Sequence, residues 1–281
     1  MREIECQQIA ETISRLCQEA NYFLPEDRRL ALEQALAREE SRAGQAVLRQ
    51  LLENADIAST GEAPLCQDCG FAVVYLELGQ QVSVVGGDLR AAVDEGVCRG
   101  YRDGYLRKSV VYPPVFERRN TGDNTPAILH LDIVPGDRLR IAVLPKGGGS
   151  ENASALAMLT PAAGVAGVAD FVVAAVERAG PNACPPVLVG VGIGGTADKA
   201  LFLAKRSHLR PLGQPNPDPQ AASLERMLLE RINALGVGPM GYGGRVTALA
   251  VHVEMSPTHI ASLPVGVSLL CHSARVKEAV L

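Results

Sequence analysis

Residues 66–70 read Cys-Gln-Asp-Cys-Gly and set two thiols around a carboxamide and a carboxylate. Such a run is either a self-contained CxxC pair that binds zinc or cycles a disulfide, or a loop in which one thiol alone is a ligand. Structural zinc prefers two close pairs, and this sequence has one. It has seven cysteines in all. Cys6, Cys17 and Cys98 fall in helical patterns beside Ile9, Ile13 and Val97 and read as small apolar fillers. Cys66, Cys184 and Cys271 differ: each lies in a turn or at a strand end, in PLCQD, NACPP and LLCHSAR. Three thiolates far apart in sequence can meet in a fold, and three suit a [4Fe–4S] cluster with one open iron, because a fully coordinated cluster takes four.

Other polar loops supply partners for such a centre. Lys146 and the glycines Gly147, Gly148 and Gly149 follow a strand-like run and can form a nest of N–H groups. The spacing is not that of a phosphate-binding loop, so a carboxylate suits it better than a nucleotide. Arg107, or Arg118 or Arg119, can clamp a carboxylate through two N–H groups, and His259 has the chemistry for proton transfer near neutral pH. Gly190 to Gly195 fit a dinucleotide fingerprint literally, but the following helix runs into PLGQPNPDPQ at 211–220 rather than a strand ending in an acid. What the glycines retain is an expected loop whose N–H groups approach an anion or cluster at a helix N-terminus.

These loops need a scaffold. Apolar spacing predicts helices over 3–19, 25–39 and 42–54, a helical N-terminal section to about residue 60. A strand is expected at 71–78, a helix from Gly87, and a hairpin of 127–134 with 138–144 about Pro135, Gly136 and Asp137. Helix at 161–179, strand at 185–193, helices at 196–207 and 221–235, and strands at 246–254 and 265–271 complete the pattern. The expected fold is α/β (α+β), a mixed β-sheet surrounded by helices, as a single domain over 1–281.

Composition narrows the partners. The chain has 281 residues, a net charge of -4, no tryptophan and no basic stripe, which argues against nucleic acid. No apolar run approaches a membrane span and the N-terminus lacks a secretory pattern, so a cytoplasmic location is expected.

PLCQDCG, LRKSVV, NTGDNTPA, KGGGSENAS, ACPPVLVGVGIGGTADKA, GPMGYGGRVTALAVHVE and PTHIASLPVGVSLLCHSAR occur in this order. In these motifs the chain resembles the α subunit of two-subunit, iron–sulfur (class I) fumarate hydratases, with L-tartrate dehydratase α subunits as close relatives. The resemblance implies a [4Fe–4S] cluster on Cys66, Cys184 and Cys271, with the open iron taking the substrate hydroxyl and a carboxylate. It implies that Gln67, Asp68, Arg107, the Gly147–Gly149 loop and His259 line the active site, with Asp68 and His259 as candidates for acid–base work. It also implies a separate β subunit, in an α2β2 heterotetramer, and a small dicarboxylate substrate. KGGGSENAS resembles the fumarate branch. Where the family form is CQDTG, this chain has Cys69, which is therefore not expected to be a ligand. Set against this enzyme reading is a non-catalytic iron–sulfur or zinc-binding sensor subunit.

Overall fold

The computed structural model describes residues 1–61 and 63–281. In chain order it begins with β1 (Arg2–Glu5), α1 (Cys6–Tyr22), α2 (Glu26–Arg38), α3 (Arg42–Ser59), β2 (Phe71–Gly79), β3 (Val82–Val85) and α4 (Leu89–Asp103). Next come β4 (Val111–Tyr112), β5 (Arg119–Asn120), β6 (Ile128–Val134), β7 (Leu139–Lys146), the one-turn α5 (Gly148–Glu151) and β8 (Ala155–Leu159). Then follow α6 (Gly164–Ala179), β9 (Val187–Gly195), α7 (Ala197–Arg206), α8 (Pro219–Asn233), β10 (Ala248–Thr258), β11 (Leu263–Leu270) and β12 (Lys277–Val280). The fold is mixed α/β with a largely helical N-terminal section, as the periodicity predicts. Contacts divide the chain into two compact units: Met1–Pro25 with Ala55–Gly148 and Arg275–Leu281, and Glu26–Asn54 with Gly149–Ala274.

In the first unit the sheet order is β12-β7-β2-β6. β2 runs antiparallel to β7 and parallel to β6. The expected hairpin of 127–134 with 138–144 is therefore absent, because β2 lies between its two strands. Ala72 to Leu76 are buried on both faces, which makes β2 a central strand needing a partner on each side. The 135–138 turn instead wraps the end of β2: Gly79 N–H bonds the Arg138 carbonyl, and Gln81 N–H bonds that of Gly136. Ile9, Ile13 and Leu16 bury the inner stripe of α1 against Val93, Val97 and Tyr101 of α4. Gly96 and Gly100 permit that approach, since a Cβ on Gly96 would come 2.7 Å from the Ala10 carbonyl. Cys17 is fully buried there, and burial pushes its thiol up to about 12, so it is a filler as expected.

The second unit has the order β10-β9-β11-β8. Along β9, Val187, Val189 and Val191 face α6 and α8, whereas Gly190 and Gly192 face α7. Gly266, the register partner of Gly192 on β11, extends the same trough. Thus Gly190 and Gly192 belong to the expected strand and not to a loop around an anion, and their missing side chains let α7 lie directly on the sheet. Only Gly194 and Gly195, at φ +90° and +69°, leave the extended conformation at the strand's end.

Behind α7 lies a buried polar layer. His252 Nδ1 donates to the Ser207 carbonyl at 3.0 Å, His208 Nε2 sits 3.2 Å from Ser268 Oγ, and Arg210 pairs with Glu225. Burial, then the positive charge of Arg210, pulls the His252 imidazole down to about 4 from 6.5. Between these values the unfolded chain binds a proton that the folded chain does not. Stability is therefore expected to fall as pH drops from about 6.5 to about 4, by on the order of 3 kcal/mol. Urea midpoints measured across that range should flatten in His252→Gln; an equally steep wild-type and variant profile would contradict the assignment.

Candidate active site

The CQDCG loop is fixed from inside the first unit. Leu65 and Cys69 point inward, at 5% and 1% exposure, while Cys66 and Asp68 are half-buried and Gln67 is exposed. Buried Arg275 donates from one guanidinium nitrogen to the Asp68 carbonyl at 2.7 Å and to Asn21 Oδ1 at 2.8 Å. The Tyr101 hydroxyl donates to the carbonyls of Cys69 and Gly70 at 2.7 and 3.1 Å. Gly70 has φ +78°, and a Cβ there would meet the backbone of Lys146 at 2.8 Å, so glycine is required.

Cys66 is in no disulfide, and its thiol donates to Gln67 Oε1 at 3.3 Å. The Asp68 carboxylate accepts from Gly70 N–H at 3.0 Å and from Gly148 N–H at 2.7 Å. One donor of the expected glycine nest is thus aimed at Asp68. Cys69 accepts the Arg107 N–H at 3.2 Å, and burial raises its thiol pKa, the Arg107 N–H and the charge of Arg275 opposing. It is a neutral inward group, as expected of a cysteine that is not a ligand. Arg107 is exposed and makes no side-chain bond among the described residues.

In the second unit Cys184 ends a 3-10 turn (Gly180–Ala183) with φ +53°, uncommon for a residue other than glycine. His272 N–H donates to the Cys184 carbonyl at 3.2 Å, so the backbones around Cys184 and Cys271 lie side by side. That follows from topology: Cys184 precedes β9 and Cys271 follows β11, its antiparallel neighbour. Cys271 Sγ lies 3.0 Å from the hydroxyl of buried Ser273. Gly149 joins this end, with its α-carbon close enough that a Cβ would meet the Asn182 carbonyl at 3.0 Å. A cleft of about 440 Å³ opens beside Gly149, Asn152, Asn182 and Arg178.

His259 is elsewhere. It occupies the exposed turn between β10 and β11, next to Gly195, at the opposite end of the sheet from Cys184 and Cys271. Nine residues of β9 separate the two ends, roughly 25 Å at strand rise. Its Nδ1 accepts the Ala261 N–H at 3.1 Å, which places the proton of the neutral ring on Nε2. Within this unit the structure does not bring His259 to Cys184 or Cys271. Asn124 and Arg275 lie within the NTGDNTPA and LLCHSAR runs, but nothing in those runs gives them a role, and Asn21 and Tyr101 sit in helical patterns that give no sign of theirs.

Residues 10–280 match the model of a family described as Fumarate hydratase (Fumerase). The chain belongs to the fumarate hydratase family. It is also 41% identical over 273 residues, 95% of each chain, to a protein of Methanocaldococcus jannaschii named "Putative L(+)-tartrate dehydratase subunit alpha". The "L(+)-tartrate dehydratase subunit alpha" of Escherichia coli strain UTI89 is 34% identical over 256 residues, 90% of this chain and 84% of that one. That of strain K12 is 33% identical over the same length. Membership in the fumarate hydratase family places the chain among hydro-lyases, which add or remove water across a carbon–carbon bond. No helix among the described residues is long and apolar enough to cross a membrane.

The donor set can be tested against an iron–sulfur centre. Cys66, Cys184 and Cys271 are half-buried thiols on loops and outside any disulfide, whereas Cys6, Cys17 and Cys69 are buried. Cys98, also half-buried, sits in α4, where burial and then the carboxylates of Asp123 and Glu95 push its thiol up, against thiolate formation. The three loop thiols therefore fit as soft ligands in type and access, although no three His, Cys, Asp or Glu side chains are gathered for a metal among the described residues.

Proposed function

We propose that this chain is the α subunit of an iron–sulfur hydro-lyase that interconverts fumarate and malate, with Cys66, Cys184 and Cys271 holding a [4Fe–4S] cluster and a separate β subunit completing the site. The observation that carries this reading is the CQDCG loop, pinned by Arg275 and Tyr101 so that Cys66 and Gln67 face outward while Cys69 faces in.

Hydration of a fumarate-type double bond delivers a proton to one carbon and hydroxide to its neighbour. The cluster, when bound, would supply a Lewis acid for the hydroxyl. Arg107, exposed and free of an internal carboxylate, would grip one substrate carboxylate through two parallel N–H bonds. Gln67 would donate its amide to the same dianion. Gly147 and Gly149 would present N–H groups to a carboxylate oxygen, while Gly148 N–H holds Asp68 in place. Asp68, an acceptor of two backbone N–H groups, is proposed to move or orient the proton at the substrate carbon. His259 would serve only if a surface other than the cysteine end of its own sheet meets substrate.

The partner is proposed because the relatives are named as α subunits, and an α2β2 assembly is the proposed stoichiometry. The cytoplasm is the proposed location. A second reading, L-tartrate dehydration, is favoured by those same names, whereas KGGGSENAS favours fumarate. Co-expression with the β subunit and anoxic kinetics on fumarate, L-tartrate and mesaconate separate them. The highest kcat/KM is expected for fumarate. A higher value for L-tartrate would move the assignment to the second reading, and no turnover of any of the three by an iron-loaded complex would overturn both.

A further inference from the structure

The NTGDN run at residues 120–124 is hydrogen-bonded along the segment that bears Arg107. That segment is anchored at its ends by Leu106 and Val110, 1% and 5% exposed, and is open to solvent between them. NTGDN takes up its backbone groups one after another. Asn120 Nδ2 donates to the Lys108 carbonyl at 2.9 Å, Ser109 N–H donates to Asn124 Oδ1 at 2.7 Å, and Thr121 N–H donates to the Val110 carbonyl at 3.0 Å.

Asn124 does more than hold this segment. Its amide nitrogen donates to the Gly70 carbonyl at 3.2 Å, the last residue of CQDCG. One planar amide thus has its oxygen on the Arg107 segment and its nitrogen on the Cys66 loop. The amide orientation is fixed by its neighbours, because a backbone N–H only donates and a carbonyl only accepts. Asn124 is fully buried and sits at φ +64°, a conformation that asparagine tolerates better than most residues. Cys69 makes a parallel tie, accepting the N–H of Arg107 itself.

We propose that Asn124 is a positioning residue that locks the Arg107 segment to the CQDCG loop, setting the spacing at which the guanidinium and Gln67 meet the two ends of one dicarboxylate. This rests on the reading above that both loops face substrate. Asparagine suits the task because aspartate offers no donor to Gly70, and glycine, which keeps the backbone conformation, offers no link at all.

The test uses the α/β complex with Asn124→Gly, Asn124→Asp and Asn124→Gly combined with Arg107→Ala. Fumarate kinetics, iron content, and amide hydrogen exchange of residues 106–110 are measured on each. Asn124→Gly is expected to raise KM by about tenfold or more, as two buried hydrogen bonds and a fixed geometry are lost, with a smaller change in kcat. Exchange at 106–110 should accelerate while iron content holds. Asn124→Asp, which keeps an acceptor for Ser109, should leave Ser109 protected and still raise KM; it also serves if the glycine variant fails to fold. On Arg107→Ala, the added Asn124→Gly change should raise KM by less than about threefold, because residues acting through one another are not additive. Unaltered exchange, or a KM effect that multiplies in full on Arg107→Ala, would overturn the proposal. If the wild-type complex turns over no dicarboxylate, the functional reading fails instead, and the exchange result alone decides the link.

Discussion

Replacing Cys66, Cys184 or Cys271 by serine is expected to strip iron from the α/β complex and lower turnover by more than about a hundredfold, beyond the usual loss for an outer partner of a metal site. A serine hydroxyl stays protonated at neutral pH and is a hard ligand where a soft thiolate is wanted. The fourth cysteine nearby provides the contrast. Cys69 is 1% exposed, and its sulfur already accepts the Arg107 N–H. A threonine hydroxyl can accept the same bond, so Cys69→Thr should keep both iron and turnover. Iron analysis and the visible spectrum of anoxically purified variants check this. Iron lost from Cys69→Thr but retained in Cys66→Ser would reverse the ligand assignment within CQDCG.

The second large effect concerns folding. Alanine at Gly192 would place a methyl carbon 2.0 Å from the Ala200 carbonyl and 2.6 Å from the Ala204 nitrogen, both backbone atoms of α7. Neither can swing aside as a long side chain would, so α7 has to lift from the sheet. The expected cost is about 3 kcal/mol, the upper end for overpacked cores. Gly190→Ala, with the Ala204 carbonyl 2.0 Å away, should behave alike. A urea midpoint unchanged from wild type in either variant would mean that α7 is not seated on the glycine trough.

The role of those glycines depends on a helix that lies outside their own run. The spacing of Ile9, Ile13 and Leu16 states which face of α1 is buried, and all three are buried in the structure, because an apolar stripe can be satisfied only by a core. A glycine carries no such signal: GVGIGG fits a loop or a strand equally until the helix that fills its missing side chains is known. The false hairpin has a related cause. Val134 and Leu139 are five residues apart in the chain, but the choice of strand between them is set by β2, more than fifty residues upstream.

The site was legible in its local motifs and not in its supports. Cys66, Gln67, Asp68 and Arg107 are marked by the motifs that carry the resemblance, and the structure joins their loops through Cys69 and Asn124. Arg275 lies in the LLCHSAR run, but nothing in that run tells that its guanidinium holds the Asp68 carbonyl 207 positions away. For His259 the residue type suggests proton transfer, while its position, in a turn at the far end of β9 from Cys184, is set by the strand order and cannot be seen in the local run.

The central claim, an iron–sulfur hydro-lyase α subunit, is tested most directly by measuring iron content and fumarate hydration on the same anoxically purified α/β complex while the metal is removed and restored. About four irons per α chain, with turnover that disappears on chelation and returns in proportion to iron, is the predicted result. Full hydration activity in an iron-free complex would contradict it.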